Sequence, residues 1–213
     1  MFAGHNSKFW DDRYSESDYA YGIVPNQFLT GQHRLKTGMK TLVVGDGEGR
    51  NGVWLATQGL DVLSIDLSPV GLEKAQALAE RHQVQLQTVC ADLTTWDWVV
   101  AEYDLVVSIY VHFAPEVRQR VHRSMLKALK PGGLIILEAF NLEQLQYQRE
   151  YDSGGPKIRD MLYEPEILRQ DFVESEILEL TETVTELHEG QHHDGKASVI
   201  RLVLQKKPLN WDI

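Results

Sequence analysis

Between residues 41 and 140 the chain alternates five short runs rich in Val, Ile and Leu with stretches of helical length, and this alternation restricts the fold more than any other feature. The runs fall at 41–44, 61–67, 86–90, 104–110 and 134–140, with helices expected over about 49–58, 68–82 and 115–130. Strands separated by helices return in the same direction through right-handed crossovers, which builds a parallel sheet covered on both faces. The last third breaks the pattern. Runs 175–189 and 196–207 are both strand-like, and the polar turn 190–195 leaves no room for a helix, so these two must pair antiparallel. The expected architecture is a three-layer α/β sandwich in which five parallel strands are joined by a C-terminal antiparallel hairpin, giving seven strands.

Local signals punctuate this plan. Ser68 is a good N-cap, Pro69 suits the first helical position, and Leu67 can staple onto Leu72. Lys130-Pro131-Gly132-Gly133 is expected to stop the preceding helix, because proline cannot continue it and glycine accepts positive φ. Residues 141–172 read as neither strand nor repeat and are expected to form a substrate-side insertion at the carboxyl ends of the strands. A length of 213 residues suits one domain, 1–213, with an N-terminal helical lid over about 1–37.

Charge and cysteine content narrow the function. The 31 acidic residues exceed the 21 basic ones for a net charge of −10, a surface that repels a phosphate backbone, so no nucleic-acid partner is expected. Cys90 is the single cysteine, which excludes an internal disulfide and a Cys-rich zinc site. The N-terminus lacks the layout of a signal peptide, and no apolar run approaches the roughly 20 residues that span a bilayer. The expectation is a cytoplasmic protein without a membrane partner, monomeric or weakly dimeric.

The chemistry concentrates at Gly45-Asp46-Gly47-Glu48-Gly49, directly after the first strand. Gly47 to Gly52 satisfies G-x-G-x-x-G and Asp66 ends the next strand, which fits a dinucleotide site or a loop for a nucleoside such as S-adenosylmethionine. Charge separates the two. A dinucleotide sets a pyrophosphate at the helix N-terminus, where Asp46 and Glu48 would oppose it. A sulfonium nucleoside carries positive charge and tolerates acids nearby. The terminal hairpin also argues against a dehydrogenase, which usually ends in another parallel unit or a separate substrate domain.

The ordered set Val44–Asn51, Ser64-Ile65-Asp66-Leu67-Ser68, Ala91-Asp92-Leu93, Tyr103-Asp104-Leu105-Val106 and Leu129-Lys130-Pro131-Gly132-Gly133 resembles the class I S-adenosylmethionine-dependent methyltransferases, whose Rossmann-like sheet is five parallel strands plus a C-terminal hairpin. Glu48-Gly49-Arg50-Asn51, with Trp10-Asp11-Asp12-Arg13-Tyr14 upstream, resembles the branch containing the tellurite-resistance methyltransferases. Val43 departs from the family, which often carries an acid there.

The resemblance implies S-adenosylmethionine as cofactor and a small-molecule methyl acceptor, such as a chalcogen oxyanion or a thiol. Gly45, Gly47 and Gly49 would admit the ligand close to the backbone, with Asp46 or Glu48 near its methionine end. Asp66 would accept from the ribose hydroxyls and Asp92 from the adenine amino group, between Leu67 and Leu93 and beside Ala91. A strand-end Asp92 can equally cap a helix. Ser108, ending the fourth strand, would lie near the methionine portion. Trp10, Arg13 and Tyr14 either cover the ligand or pack as an amphipathic helix. His112 is a candidate general base or a helix-start residue, and His193 a candidate acceptor-site residue. His188, His192 and His193 crowd one turn, but the adjacent pair cannot share a face, so no metal is expected. The rival functions are an NAD-dependent oxidoreductase and a non-catalytic S-adenosylmethionine-binding module.

Overall fold

A computed structural model describes residues 6–208; the first five residues of the expected lid and the last five of the chain lie outside them. Strands β1 (Lys40–Val44), β2 (Asp61–Asp66), β3 (Gln87–Cys90), β4 (Tyr103–Ile109), β5 (Leu129–Phe140), β6 (Ser175–His188) and β7 (Asp194–Lys206) form one sheet in the order β3-β2-β1-β4-β5-β7-β6. The first five run parallel, and β7 lies antiparallel between β5 and β6. Strand order reverses between β1 and β4. At such a switch point the two crossovers diverge and open a crevice at the strands' carboxyl ends.

Helices α1 (Ser7–Tyr14), α2 (Gln27–Thr30), α3 (Arg50–Thr57), α4 (Pro69–Arg81), α5 (Pro115–Ala128), α6 (Gln144–Tyr151) and α7 (Pro165–Asp171) flank the sheet. Alternation along the strands divides the core. Leu42 and Val44 join Val121, Met125 and Leu126 of α5, with Leu168 and Phe172, on one face. Val43 joins Val53 and Leu55 of α3, Ala75 and Leu78 of α4, and Phe28 and Leu29 on the other. Each such side chain contributes about 1.5–3 kcal/mol by leaving water. Position 43 is therefore a core position, and an acid there would be buried among apolar groups. No helix joins β3 to β4. Trp96 and Trp98 cover that stretch instead, and the Trp98 indole donates to Leu93 O at 3.0 Å.

One expectation changes. The helix before β5 stops at Ala128 rather than at Lys130-Pro131-Gly132-Gly133, because Leu129 is already extended and pairs with Tyr103. The Pro-Gly-Gly stretch bends β5 where the register shifts between Tyr103 and Leu105. Residues 141–172, without a period in the sequence, hold α6, a single 3-10 turn at Arg159–Met161, and α7. This segment leaves the carboxyl end of β5, and Tyr163 N returns to Phe140 O at 3.1 Å. Among the described residues no helix is long and apolar enough to cross a membrane.

Candidate functional site at the carboxyl ends of the strands

The glycine loop joins β1 to α3. Gly47 and Gly49 hold φ values of +57° and +85°, the left-handed region that favours glycine. A Cβ on Gly47 would stand 2.5 Å from the Tyr14 hydroxyl, and one on Gly49 2.5 Å from Ala75 Cβ. Gly47 thus lets α1 lie on the loop, and Gly49 lets α3 meet α4.

Both loop acids turn toward the protein. Asp46 accepts from Gly52 N at 3.2 Å and from Ser64 Oγ at 2.6 Å. Gly52 lies in the first turn of α3, where bare amides and the helix dipole attract an anion. The chain's own carboxylate takes that place. Burial raises the Asp46 pKa, and the Ser64 and Gly52 bonds oppose the shift. Glu48 reaches Lys74 Nζ at 2.5 Å. Lys74 also donates to the carbonyls of Glu16 at 2.8 Å and Asp18 at 2.7 Å, fastening the segment after α1 to α4.

Asp66 bridges the loop and the next helix: Oδ2 accepts from Gly47 N at 2.8 Å and Oδ1 from Ser68 N at 2.9 Å. Burial raises its carboxyl to about 6, with Asp46 adding to the shift and the Ser68 and Gly47 amides opposing it. Ser68 caps α4 through Gly71 N at 3.1 Å and donates to Asp11 of α1 at 2.5 Å. Leu67 is half-buried and Leu93 buried. Ala91 N donates to Asp66 O at 2.9 Å, which sets the ends of β2 and β3 side by side. Asp92 is exposed, and its Oδ1 accepts from Thr94 N at 2.8 Å. Ser108 is buried beside Val44 in register, and its hydroxyl has no hydrogen-bond partner.

The N-terminal aromatics form a layer over this loop. Trp10 stacks on buried Tyr14 at 5.7 Å, and Tyr14 meets Tyr21 edge-on at 6.4 Å. Arg13 donates to the Tyr21 hydroxyl at 3.1 Å.

The two histidines singled out as catalytic candidates sit differently. His112 Nδ1 lies 2.8 Å from Met161 O, and Nε2 accepts from Phe140 N at 3.2 Å. Burial pushes its pKa down to about 4, keeping it neutral. Both nitrogens are engaged with backbone, so the expected base role finds no open nitrogen; the ring joins the 3-10 turn to the end of β5. His193 is buried at the β6–β7 turn between Tyr21 at 4.6 Å, Tyr110 at 4.7 Å and Phe140 at 5.1 Å. Its neighbours in the turn diverge. His192 lies near Tyr21 at 5.7 Å, and His188 pairs with Asp194 at 3.1 Å.

Beneath the aromatic layer runs a polar network absent from the sequence reading. Arg50 Nη2 meets Glu189 Oε2 at 2.7 Å, and Asn26 Nδ2 donates to Glu189 at 3.2 Å and Glu138 at 2.6 Å. Arg201 Nε and the Tyr110 hydroxyl donate to Glu138 at 2.5 Å and 2.7 Å. Burial works to raise the Glu189 carboxyl, but His193 and Arg50 outweigh it and hold it at about 2. Glu138 and Arg201 left a trace in the sequence, as charges inside the apolar runs 134–140 and 199–204. Nothing near Asn26 or Glu189 marks their contacts with these charges.

The sheet order, the hairpin strand inserted beside β5, and a glycine loop facing a strand-end acid define the Rossmann-like methyltransferase fold. Residues 42–133 match the methyltransferase domain family. Over 99 residues the chain is 33% identical to an uncharacterized protein of Mycobacterium tuberculosis, a match covering 46% of this chain and 36% of that protein's length. A solved structure concerned with conversion of a disulfide bond into a thioacetal group during echinomycin biosynthesis superposes with a TM-score of 0.77 and 17% identity, over 97% of this chain and 93% of that one. TehB from Haemophilus influenzae superposes with a TM-score of 0.69 and 19% identity, over 94% of this chain and 67% of that one. At these identities the solved structures share the fold.

Proposed function

We propose that the chain is an S-adenosylmethionine-dependent methyltransferase acting on a small-molecule acceptor, a thiol or a chalcogen anion. One observation carries the choice of cofactor: the Asp46 carboxylate at the N-terminus of α3, bound to Gly52 N and Ser64 Oγ. A pyrophosphate needs those amides and would meet a fixed negative charge. A sulfonium nucleoside brings no phosphate to place there.

The residues present fit such a ligand. Asp66, held by two amides, would accept from ribose hydroxyls, and Asp92 from the adenine amino group, with Leu67, Ala91 and Leu93 as apolar cover. The unpartnered Ser108 hydroxyl at the end of β4 is a polar atom that the methionine portion would satisfy. Gly45, Gly47 and Gly49 shape the loop by admitting Val111, Tyr14 and Ala75 against it, and Trp10, Arg13 and Tyr14 would close the side facing α1. When bound, the ligand supplies a methyl carbon activated by a positively charged sulfur. The chain's contribution is to orient the reactants and keep water out, and alignment is a large part of what an in-line transfer requires. The acidic surface disfavours nucleic acid. Likeness to a protein of disulfide-to-thioacetal conversion, together with the tellurite-resistance resemblance, supports a soft acceptor.

Calorimetry tests this reading. Wild type is expected to bind S-adenosylhomocysteine and not NADH. Asp66→Ala should weaken that binding about 10- to 100-fold, the worth of hydrogen bonds to a charged group. Because ribose hydroxyls donate to the ionised carboxylate and free Asp66 titrates near 6, affinity should fall as pH drops below 6, by about tenfold per unit. The Asp66→Asn variant should lack that pH dependence. NADH binding without homocysteine-ligand binding would sink the proposal, and equal affinity in Asp66→Ala would sink the ribose assignment.

A further inference from the structure

His193 and Glu189 together have the arrangement of a base and its orienting carboxylate. His193 is 7% exposed, and the rings of Tyr21, Tyr110 and Phe140 fix its plane. Its Nδ1 has no hydrogen-bond partner and stands 3.6 Å from Glu189 Oε2. That separation is just beyond hydrogen-bond reach, and catalytic pairs commonly tighten from such distances when ligands bind. Glu189 cannot turn away, since Arg50 holds Oε2 at 2.7 Å and Asn26 holds Oε1 at 3.2 Å. A carboxylate so placed accepts from Nδ1–H, which leaves the lone pair on Nε2.

A glycine lines the remaining edge of the imidazole. A Cβ on Gly154 would lie 2.5 Å from His193 Cδ2 and 3.2 Å from Nε2. Two rings link the imidazole to the cofactor loop: Tyr21 meets both His193 and Tyr14, and Tyr14 lies on Gly47. Arg50, which holds Glu189, is the first residue of α3 after that loop. Two other histidines are engaged elsewhere: half-buried His112 spends both nitrogens on backbone, and His122 is fully buried with Nδ1 on Asp171.

We infer that His193, positioned by Glu189, removes a proton from the methyl acceptor, and that the acceptor is therefore a thiol that arrives protonated rather than an oxyanion. This rests on the methyltransferase reading. Nε2 takes the proton from S–H, and the electron pair left on that sulfur forms the bond to the methyl carbon. The pair of the broken carbon–sulfur bond returns to the donor sulfur, giving a neutral thioether. An ordinary thiol, with a pKa of about 8.5, is mostly protonated at neutral pH, which is why a base helps and why a pre-ionised acceptor needs none.

The test uses the whole chain, with 2-mercaptoethanol as protonated acceptor and selenocysteamine as its ionised counterpart. His193→Gln is expected to keep S-adenosylhomocysteine affinity within about twofold while lowering kcat on 2-mercaptoethanol about 100-fold, the low end for loss of a general base. Its rate on selenocysteamine should stay within about threefold. Histidine-selective 15N spectra of the homocysteine-ligand complex should show His193 protonated on Nδ1 and bare on Nε2, a preference that Glu189→Gln relaxes. Equal losses on both acceptors, no transfer to 2-mercaptoethanol by wild type, or a proton on Nε2 would each overturn the dyad. A wild type that fails to bind S-adenosylhomocysteine overturns the methyltransferase reading and the dyad with it. Intact binding with the wrong tautomer overturns the dyad alone.

Discussion

Replacing Arg50 with methionine is expected to lower the unfolding free energy by about 3–5 kcal/mol, the cost of stranding a buried charge. Glu189 is the charge left behind. Its side chain is 10% exposed, that of Arg50 8%, and they meet at 2.7 Å. Without the guanidinium, burial would work unopposed by its main cation, and Asn26 and His193 offer only polar contact. Methionine preserves the apolar stem, so the loss reports charge rather than volume. At roughly 2–4 °C per kcal/mol for a chain of this size, the melting temperature should fall on the order of 10 °C. The double variant Arg50→Met, Glu189→Leu should recover part of that loss, because it removes both charges instead of one. Since Arg50 opens α3, S-adenosylhomocysteine binding should also weaken. Equal melting temperatures for wild type and Arg50→Met would show that the pair is dispensable.

The second large effect is expected at Asp171→Asn, and it should separate stability from the site. Asp171 Oδ2 takes both Arg118 Nε and His122 Nδ1 at 2.8 Å, with the carboxylate 1% exposed and His122 fully buried. Burial works to raise the Asp171 pKa, but His122 and Arg118 overcome it and hold the carboxylate ionised. Neutralising it leaves a guanidinium and a buried imidazole between α5 and α7 without an anion. We expect a loss of about 3 kcal/mol, the low end of the range because Arg118 reaches some solvent. Urea unfolding measures that loss, and limited proteolysis should then cut within 141–172, which α7 anchors. Ligand affinity should change by less than about threefold, since no member of this triad touches the glycine loop. An unchanged unfolding midpoint, or loss of ligand binding without loss of stability, would contradict this assignment.

The sheet was legible because strands and helices write their own periods. Residues 61–66 form a short, partly apolar run that ends at an acid, Ser68 caps and Pro69 starts, all within a few positions, and β2 and α4 follow. The same holds for the hairpin, where a six-residue turn forbids a crossover. The site was legible only in part. Gly47 and Gly49 share one turn, and Asp66 ends the next parallel strand, so the β1-α3-β2 crossover sets them side by side. Asp46 did not yield to the same reasoning. Its neighbours suggested a ligand contact, whereas its partners are Gly52 and Ser64, the latter 18 residues away.

Among eight histidines, spacing placed His188, His192 and His193 in one turn but could not say which faces inward. The rings of Tyr21, Tyr110 and Phe140 decide that, and they come from three separate parts of the chain. Asn26 shows the limit plainly. It joins Glu138 across 112 residues and Glu189 across 163, and nothing near position 26 announces either contact. The amino-acid sequence by itself determined the seven strands, the helices of the crossovers and the glycine loop, because backbone periodicity and turn chemistry are local. Only the tertiary structure decided that Asp46 turns inward, that His112 is engaged at both nitrogens, that Arg50 pairs with Glu189, and that Tyr21, Tyr110 and Phe140 enclose His193. Buried charges take partners by proximity in space, and along the sequence that proximity leaves no mark.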